Sequence, residues 1–330
     1  MTDLRRRTQS VLEQLILAPE GDLPAVLNQH LTADTLWDIA FPINRLRGVE
    51  AVLEGLILPL RRALSGIHRR DEIFIGGRNS DSTGDDWVAS VNHYVGNFCQ
   101  PIAGIAPSNS LVFLRAGEFY RIEKDRIIEA KLIIDFLDLM RQAKRFPLPA
   151  MLGTEMLFPS PATHDGVFPE HPENSPASLR LVNAMLSDLI AYDAETFSSK
   201  GQTGDAGYWH KNMLWYGPAG IGSSYRWEGF VKDHREPFLK AFPDRVGGDH
   251  YCRIADGNYV AVGGWPSMSM THQGSYLGEP PSGKKLTLRV MDFYRCADNK
   301  IMENWVLLDY LHLFHQMGVN LLERSATMHP

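Results

Sequence analysis

The spacing of apolar and polar positions divides the chain into two stretches that contain similar elements. In each stretch, apolar residues recur at the spacing of helices in some segments and alternate at the two-residue spacing of strands in others. The first stretch predicts helices near 4–17, 23–30, 49–65 and 136–144, and strands near 35–40, 72–77, 86–99, 110–123 and 127–134. The second predicts a helix over 176–192 and strands near 209–216, 250–255, 259–274, 285–296 and 301–308. Helices and hairpin-linked strands without regular β-α-β alternation predict an α+β fold.

The two stretches are also similar in sequence. Residues 115–143 and 289–317 align without a gap at an offset of 174 residues, and ten of the 29 positions are identical. A weaker match, 59–63 with 237–241, has an offset of 178 residues. Such self-similarity is the mark of repeated structural units. It predicts two tandem domains that pack as an internal pseudo-dimer.

A proline-rich segment separates the two copies. Seven prolines fall between 147 and 176, a density that excludes helix interiors and central strands. Ser175 and Pro176 then form a helix-start signal. We therefore predict a first domain over 1–146, a linker over 147–175 and a second domain over 176–330.

Composition narrows the class of protein. The formal net charge is -6, with 44% hydrophobic and 22% charged residues, as in ordinary globular proteins. The mildly acidic balance gives no sign of a nucleic-acid partner, and the sequence lacks an apolar run long enough for a membrane span. Three widely spaced cysteines, Cys99, Cys252 and Cys296, argue against a disulfide framework and favour a cytoplasmic location.

A set of motifs in the second copy carries a family resemblance. They are Thr271-His272-x-Gly274, Gly278-x-Pro280-x-Ser282-Gly283-Lys284, and Lys300-Ile301-x-Glu303-x-Trp305-x-x-x-Asp309 followed by Gln316-x-Gly318. This pattern resembles the SnoaL-like polyketide cyclases of the NTF2-like superfamily, and the first copy matches more loosely through 117–121, Glu129 and Asp135. The resemblance implies two cone-shaped α+β barrels. In each, a curved antiparallel sheet would wrap around helices and leave one closed-ended pocket.

Asp309 is the first candidate for catalysis. Alternation along a strand places Glu303, Trp305, Leu307 and Asp309 on one face, and the resemblance implies that this face lines the pocket. In family cyclases, an aspartate at the Asp309 position is the general acid–base. The alternative is an N-cap, since Asp309 directly precedes a short predicted helix, as Asp135 does in the first copy.

His272 is the second candidate, as an assisting acid–base or as a group that orients a substrate carbonyl. Lys131 replaces Trp305 in the first copy, so we expect the second pocket to be the larger or more aromatic. The alternative for the aromatic residues is a place in the core. The expected substrate contacts are Trp305, Glu303, Tyr276, Trp265, Trp215, Arg295 and His250, with Asp135, Glu129 and Lys131 as first-domain equivalents.

The leading functional hypothesis is a cyclase or isomerase of a carbonyl-rich small molecule, working by aldol-type acid–base chemistry in the second domain. We expect no cofactor and no metal site. One alternative is a non-catalytic small-molecule-binding protein. Another is an epoxide or lactone hydrolase of the same superfamily, in which an arginine between carboxylates activates water. The strand over 285–296 leaves this open, because it carries Arg289 and Arg295 but no histidine.

Overall fold

The computed structural model describes residues 2–81, 83–193, 195–197, 199, 201, 206–248 and 250–328. In its first half, a π turn at Leu53–Ile57 joins the helical segments Val49–Val52 and Leu58–Ala63 into one continuous helix. The elements of this half are α1 Thr2–Leu17, α2 Leu23–His30, β1 Leu31–Ile39, β2 Arg45–Arg47, α3 Val49–Val52, α4 Leu58–Ala63, β3 Leu64–Arg78, β4 Asp86–Phe98, β5 Leu111–Glu123, β6 Arg126–Ile134 and α5 Phe136–Gln142.

The second half repeats most of this order, but among the described residues it opens with one helix instead of two and has an additional short strand and an additional final helix. A π turn at Val231–Arg235 again joins two short helices, Arg226–Phe230 and Glu236–Ala241. The elements are α6 Ser175–Ile190, β7 Trp209–Tyr216, β8 Ser224–Tyr225, α7 Arg226–Phe230, α8 Glu236–Ala241, β9 Val246–Gly247, β10 His250–Asp256, β11 Tyr259–Thr271, β12 Lys285–Ala297, β13 Lys300–Leu308, α9 Tyr310–Met317 and α10 Leu321–Ala326.

The predicted α+β class and two-domain organisation are confirmed. The sheets differ in two ways from the antiparallel barrels that the resemblance implied. Their strand orders are β2-β1-β6-β5-β4-β3 and β10-β11-β12-β13-β7-β8, so both sheets are open in the described part of the chain. Both are also mixed, because β1 pairs parallel with β6 and β7 pairs parallel with β13. Hairpins force neighbouring strands to be antiparallel, but no tight turn joins these two pairs.

Each sheet packs one face against the helices of its own domain and the other face against the other domain. Phe119 and Phe293, which occupy equivalent positions, meet across this junction with ring centroids 5.5 Å apart. Gly117 allows close approach, since a Cβ there would lie 2.7 Å from Cδ1 of Leu307. Both faces of both sheets are therefore largely apolar and buried.

Residues 143–171, which include most of the predicted linker, form no named helix or strand. This segment lies across the domain junction. Thr154 forms an isolated bridge with Ser223, and the ring of Phe158 lies 4.5 Å from the guanidinium of Arg115. No helix in the described ranges is long and apolar enough to cross a membrane.

Candidate active-site cavity

A cavity of about 400 Å³ lies inside the second domain, between the inner face of its sheet and helices α6, α7 and α8. The β12 positions Val290, Asp292 and Tyr294 line it, as do Asn304 and the other inward residues of β13. Its walls are mainly apolar and aromatic, a composition typical of small-molecule sites. The aromatic lining residues are Trp209, Trp215, Phe230, Phe238 and Tyr294.

Asp292 is the one acidic residue among the described lining residues. Its carboxyl group has neutral hydrogen-bond partners, Asn304, whose Nδ2 lies 3.4 Å from Oδ1, and the hydroxyl of Tyr294. Among the described residues, no cation is near enough to offset the burial of this carboxyl group, which raises the pKa of Asp292 to about 7. A carboxyl group of this kind can both accept and return a proton near neutral pH.

Basic residues also line the cavity. They include Arg235, Arg245, Arg253 and two histidines, His234 and His250. The imidazole of His234 stacks on Trp215 at 4.5 Å, and burial together with the neighbouring arginines lowers its pKa to about 3. His234 is therefore neutral at physiological pH. The positive charge of the cavity comes from the arginines.

Asp309 occupies a different environment, at the junction of the two domains. Its Oδ1 accepts the backbone N–H of His312 at 3.2 Å and so caps α9. Its Oδ2 accepts from Nη1 of Arg289 at 3.0 Å and from the backbone N–H of Phe41, in the first domain, at 3.1 Å. Burial raises the pKa of Asp309 to about 6, although Arg289 and the two N–H groups favour its charged form.

Asp135 makes the equivalent contacts. It accepts from the backbone N–H of Asp138 at 3.0 Å, from Nε of Arg115 at 2.9 Å, and from the backbone N–H of Ala219, in the second domain, at 3.0 Å. Each aspartate thus caps the short helix that follows it and accepts a backbone N–H from the other domain. These contacts establish the capping role that the sequence left open. A catalytic role for Asp309 stays a prediction.

The predicted pocket face of β13 points away from the cavity. Glu303 and Trp305 face the domain junction and the linker instead, because the inner face belongs to Asn304, Val306 and Leu308. Nε1 of Trp305 donates to the carbonyl of Pro159 at 3.0 Å. Glu303 accepts from the hydroxyl of Tyr216 at 2.9 Å and from Nε of Arg295.

The remaining predicted residues divide between three places. Trp215 and His250 line the cavity. Trp265 lies between the domains, in a second pocket of about 360 Å³ that also contains Arg289. His272 and Tyr276 are buried outside the cavity lining, where Nδ1 of His272 lies 3.1 Å from Oγ of Ser282, and the hydroxyl of Tyr276 contacts that of Tyr310.

In the first domain, Lys131 lies between two carboxylates. Its Nζ is 2.9 Å from Oδ2 of Asp38 and 3.0 Å from Oε1 of Glu129. Glu129 is therefore an ion-pair partner of Lys131, whereas Asp135 binds Arg115. All three lie on the junction side of the sheet, as Trp305 does in the second domain.

Sequence reasoning missed Asp292 as a site residue, although a signal was present. Alternate positions of β12, from Leu286 to Cys296, are apolar or aromatic except for Asp292. A lone carboxyl group on an apolar strand face must be paired, protonated or functional. Asn304, a polar residue on the neighbouring strand β13, supports the same interpretation.

Comparison with known proteins agrees with the fold. The model of the SnoaL-like polyketide cyclase family matches residues 82–143 and 195–317, which is more than half of the chain. The protein belongs to the SnoaL-like polyketide cyclase family, with one matched segment in each domain. No curated protein matches the chain.

Solved structures similar to this chain each correspond to about two-fifths of it. A candidate SnoaL-like polyketide cyclase from Jannaschia sp. CCS1 is 15% identical, with 41% of this chain and 90% of the other covered and a TM-score of 0.33. An NTF2-like protein from Burkholderia thailandensis E264 is 17% identical, covering 41% and 95%, with a TM-score of 0.30. A protein with a ketosteroid isomerase-like fold from Catenulispora acidiphila, in complex with trimethylamine, is 15% identical, covering 41% and 92%, with a TM-score of 0.31.

Proposed function

We propose that the second domain is a cofactor-independent cyclase or isomerase of a carbonyl-rich small molecule, and that Asp292 is its general base. The observation that carries this proposal is the uncompensated carboxyl group in an aromatic cavity. Family membership supports the reaction class, and the cavity volume of about 400 Å³ suits a ligand of two or three fused rings.

The chemistry requires a single group that removes and returns a proton. The carboxylate of Asp292 takes a proton from carbon flanked by carbonyl groups, and the electron pair moves onto a carbonyl to give an enolate. In a cyclase, the enolate carbon then attacks a second carbonyl of the same molecule, and the new alkoxide takes the proton back from Asp292. Asn304 and Tyr294 hold the carboxyl group in place throughout.

The geometry supports this reaction better than the hydrolase alternative. An arginine between two carboxylates occurs in the first domain, where Arg69 contacts Asp71 and Glu118, but these side chains are at most 6% exposed. In the second-domain cavity, Asp292 is the one acidic lining residue of the described chain. A water-activating triad of that kind therefore has no counterpart in the cavity.

Proton abstraction can be measured without knowing the natural substrate. We would follow deuterium incorporation into an aromatic ketone such as 2-tetralone in D₂O by NMR, and then screen linear polyketide esters for cyclisation. Asp292→Asn keeps the shape and the hydrogen-bonding capacity of the side chain but removes the base. We expect exchange and turnover to fall roughly 10²–10⁴-fold.

Asp309→Asn is the matched control, because it makes the same chemical change at the capping site. Asparagine caps about as well as aspartate, so this variant should fold. If Asp309→Asn loses turnover while Asp292→Asn keeps it, Asp309 is the base and the present assignment is wrong. If the wild-type protein binds aromatic ketones without exchanging their protons, the domain is a binding protein.

A further inference from the structure

The arginines of the second-domain cavity lack the counter-charges that the chain gives its other buried arginines. Arg5, Arg115 and Arg235 are each at most 5% exposed. Arg5 pairs with Asp256 at 2.6 Å, and Arg115 pairs with Asp135 and Asp138. Arg235 forms no ion pair with any carboxylate of the described residues.

The hydrogen bonds of Arg235 within the described chain do not include a carboxylate. Its Nε donates to the carbonyl of Phe197 at 2.7 Å, and its buried Nη2 has no hydrogen-bond partner in the described chain. Asp188 is the carboxylate that acts on it through space, but both oxygens of Asp188 accept the backbone N–H of Gly201 at 3.1 Å. A buried guanidinium without a counter-charge is costly unless an anion joins it.

A second arginine increases this excess of positive charge. Arg245 lines the same cavity, and its Nη2 donates to the carbonyl of Leu189 at 2.8 Å rather than to an acid. Burial and the nearby Arg245 together lower the pKa of Arg235 to about 10, so Arg235 remains charged at neutral pH beside the guanidinium of Arg245. Their mutual repulsion is relieved by an anion between or beside them.

A third arginine, Arg253, is held differently. Its Nη1 donates to Oδ1 of Asn183 at 3.1 Å, and its Nη2 lies 2.9 Å from Nδ1 of His250. These contacts fix Arg253 along the strand wall. The pair formed by Arg235 and Arg245 is therefore the better candidate for a ligand site.

We propose that Arg235 and Arg245 form an anion-binding subsite of this cavity, which holds the carboxylate or phosphate group of an aromatic ligand. Guanidinium groups suit both anions, because their planar N–H donors match the oxygens of either. The aromatic walls would hold the rest of the molecule. The identification of this ligand as the substrate rests on the proposed function, whereas the subsite itself does not.

The test compares charged and neutral probes of one shape by titration calorimetry. The probes are 1-naphthoate, 1-naphthyl phosphate and the uncharged 1-naphthamide. We expect at least one charged probe to bind tenfold or more tightly than the amide, and the better of the two identifies the anion. Equal affinities for all three, or no binding of either charged probe at millimolar concentration, would overturn the proposal.

Variants assign the preference to the two arginines. Arg235→Met and Arg245→Met should each bring the charged probes to within about threefold of the amide, while Arg235→Lys keeps part of the preference. Arg61→Met is the matched control, since Arg61 also donates to backbone carbonyls, those of Leu15 and Ala18, but lies in the first domain. A preference that survives in the double variant Arg235→Met/Arg245→Met would contradict the assignment.

Two further results keep the outcomes distinct. If Arg235→Met does not fold, the more exposed Arg245→Met and the charge-retaining Arg235→Lys still decide the question. Asp292→Asn should bind the charged probes at least as tightly as the wild type, because it removes a negative charge from the cavity. Loss of proton exchange without loss of anion preference would therefore separate the catalytic proposal from this one.

Discussion

The two domains place a carboxyl group at the same position of their sheets but surround it with different side chains. Glu118 on β5 corresponds to Asp292 on β12 at the repeat offset of 174 residues. Glu118 is fully buried, and Nη1 of Arg69 lies 2.6 Å from its Oε2. Asp292 faces an open cavity and has no cationic partner in the part of the chain that the structure describes.

Hydroxyl groups complete the environment of Glu118. The hydroxyl of Tyr120 donates to it at 2.7 Å, Oγ of Ser90 at 3.3 Å, and the hydroxyl of Tyr94 also donates. Each carboxylate oxygen thus has a strong donor within the protein. The first domain has a filled polar core at the place where the second domain has a cavity.

This difference indicates how the repeat divides its tasks. A buried carboxylate that has an ion pair and a hydrogen-bond donor at each oxygen, as Glu118 has, contributes to the specific packing of its domain. An unpaired carboxyl group in an apolar cavity costs stability and is reactive. We infer that the first domain supports the second, which carries the chemistry.

The largest effect expected from this comparison is on the pH dependence of turnover. A general base must be ionised, so kcat/KM should rise about tenfold per pH unit below about 7 and level off above it, as Asp292 loses its proton. The profile is measured between pH 5 and pH 9 with the exchange or cyclisation assay. Glu118→Gln should leave its midpoint unchanged, whereas a flat wild-type profile would contradict the role of Asp292.

The next effect is on the stability of the first domain. Arg69→Met removes the cation that contacts both Asp71 and Glu118 in the described chain, which leaves two buried carboxylates without this ion pair. We expect the free energy of unfolding to fall by about 3–5 kcal/mol in urea titrations. Turnover per folded molecule should not change.

Arg121→Met is the control for this substitution. Arg121 also contacts two carboxylates, of Asp85 and Glu129, but its side chain is 33% exposed. Exposed ion pairs contribute little, so the loss should stay below about 1 kcal/mol. Equal losses in the two variants would show that burial does not distinguish the two networks.

The sequence predicts most of the fold because the pattern and the repeat agree. The long strands β4, β5, β6, β12 and β13 fall within about one residue of their predicted bounds. Asp298 and Asn299 form the turn between β12 and β13, with φ angles of 49° and 56°. Because the two copies align without a gap through two strands and a helix, they are expected to share one architecture.

The site is harder to predict, for a physical reason. Both faces of each sheet are buried, one against helices and one against the other domain, so alternation identifies two faces without telling which encloses a cavity. Charged residues inside a strand also make that strand difficult to predict from the sequence. The first half of β3 contains Arg69 and Asp71, and its polar sequence conceals a strand whose charges are paired within the protein.

The junction aspartates allow a prediction of intermediate size. Asp309→Ala removes a helix cap, the ion pair with Arg289 and the acceptor for the N–H of Phe41. We expect the free energy of unfolding to fall by about 1.5–3 kcal/mol. Asn320→Ala removes an exposed cap of α10 and should cost about 0.5–1 kcal/mol. If the two losses are equal, the contacts of Asp309 across the junction add nothing to its cap.

The smallest expected effect is a pH-dependent cost of keeping Asp292 unpaired. Its pKa is raised from 3.8 to about 7 by burial, so between pH 4 and pH 7 the unfolded chain is ionised there while the folded protein still holds the proton. The free energy of unfolding must therefore fall as pH rises through this range, and the loss is complete above about pH 7. Asp292→Asn removes the titratable group and should abolish this decline. At pH 8 the variant should be more stable than the wild type by about 1 kcal/mol, a value that allows for water in the cavity, and at pH 4 the two should be nearly equal in stability. Asp34→Asn, at an exposed position of β1, provides the control in urea titrations at both pH values. A difference between Asp292→Asn and the wild type that is the same at pH 4 and pH 8 would mean that the two domains do not differ in the way their carboxyl groups are held.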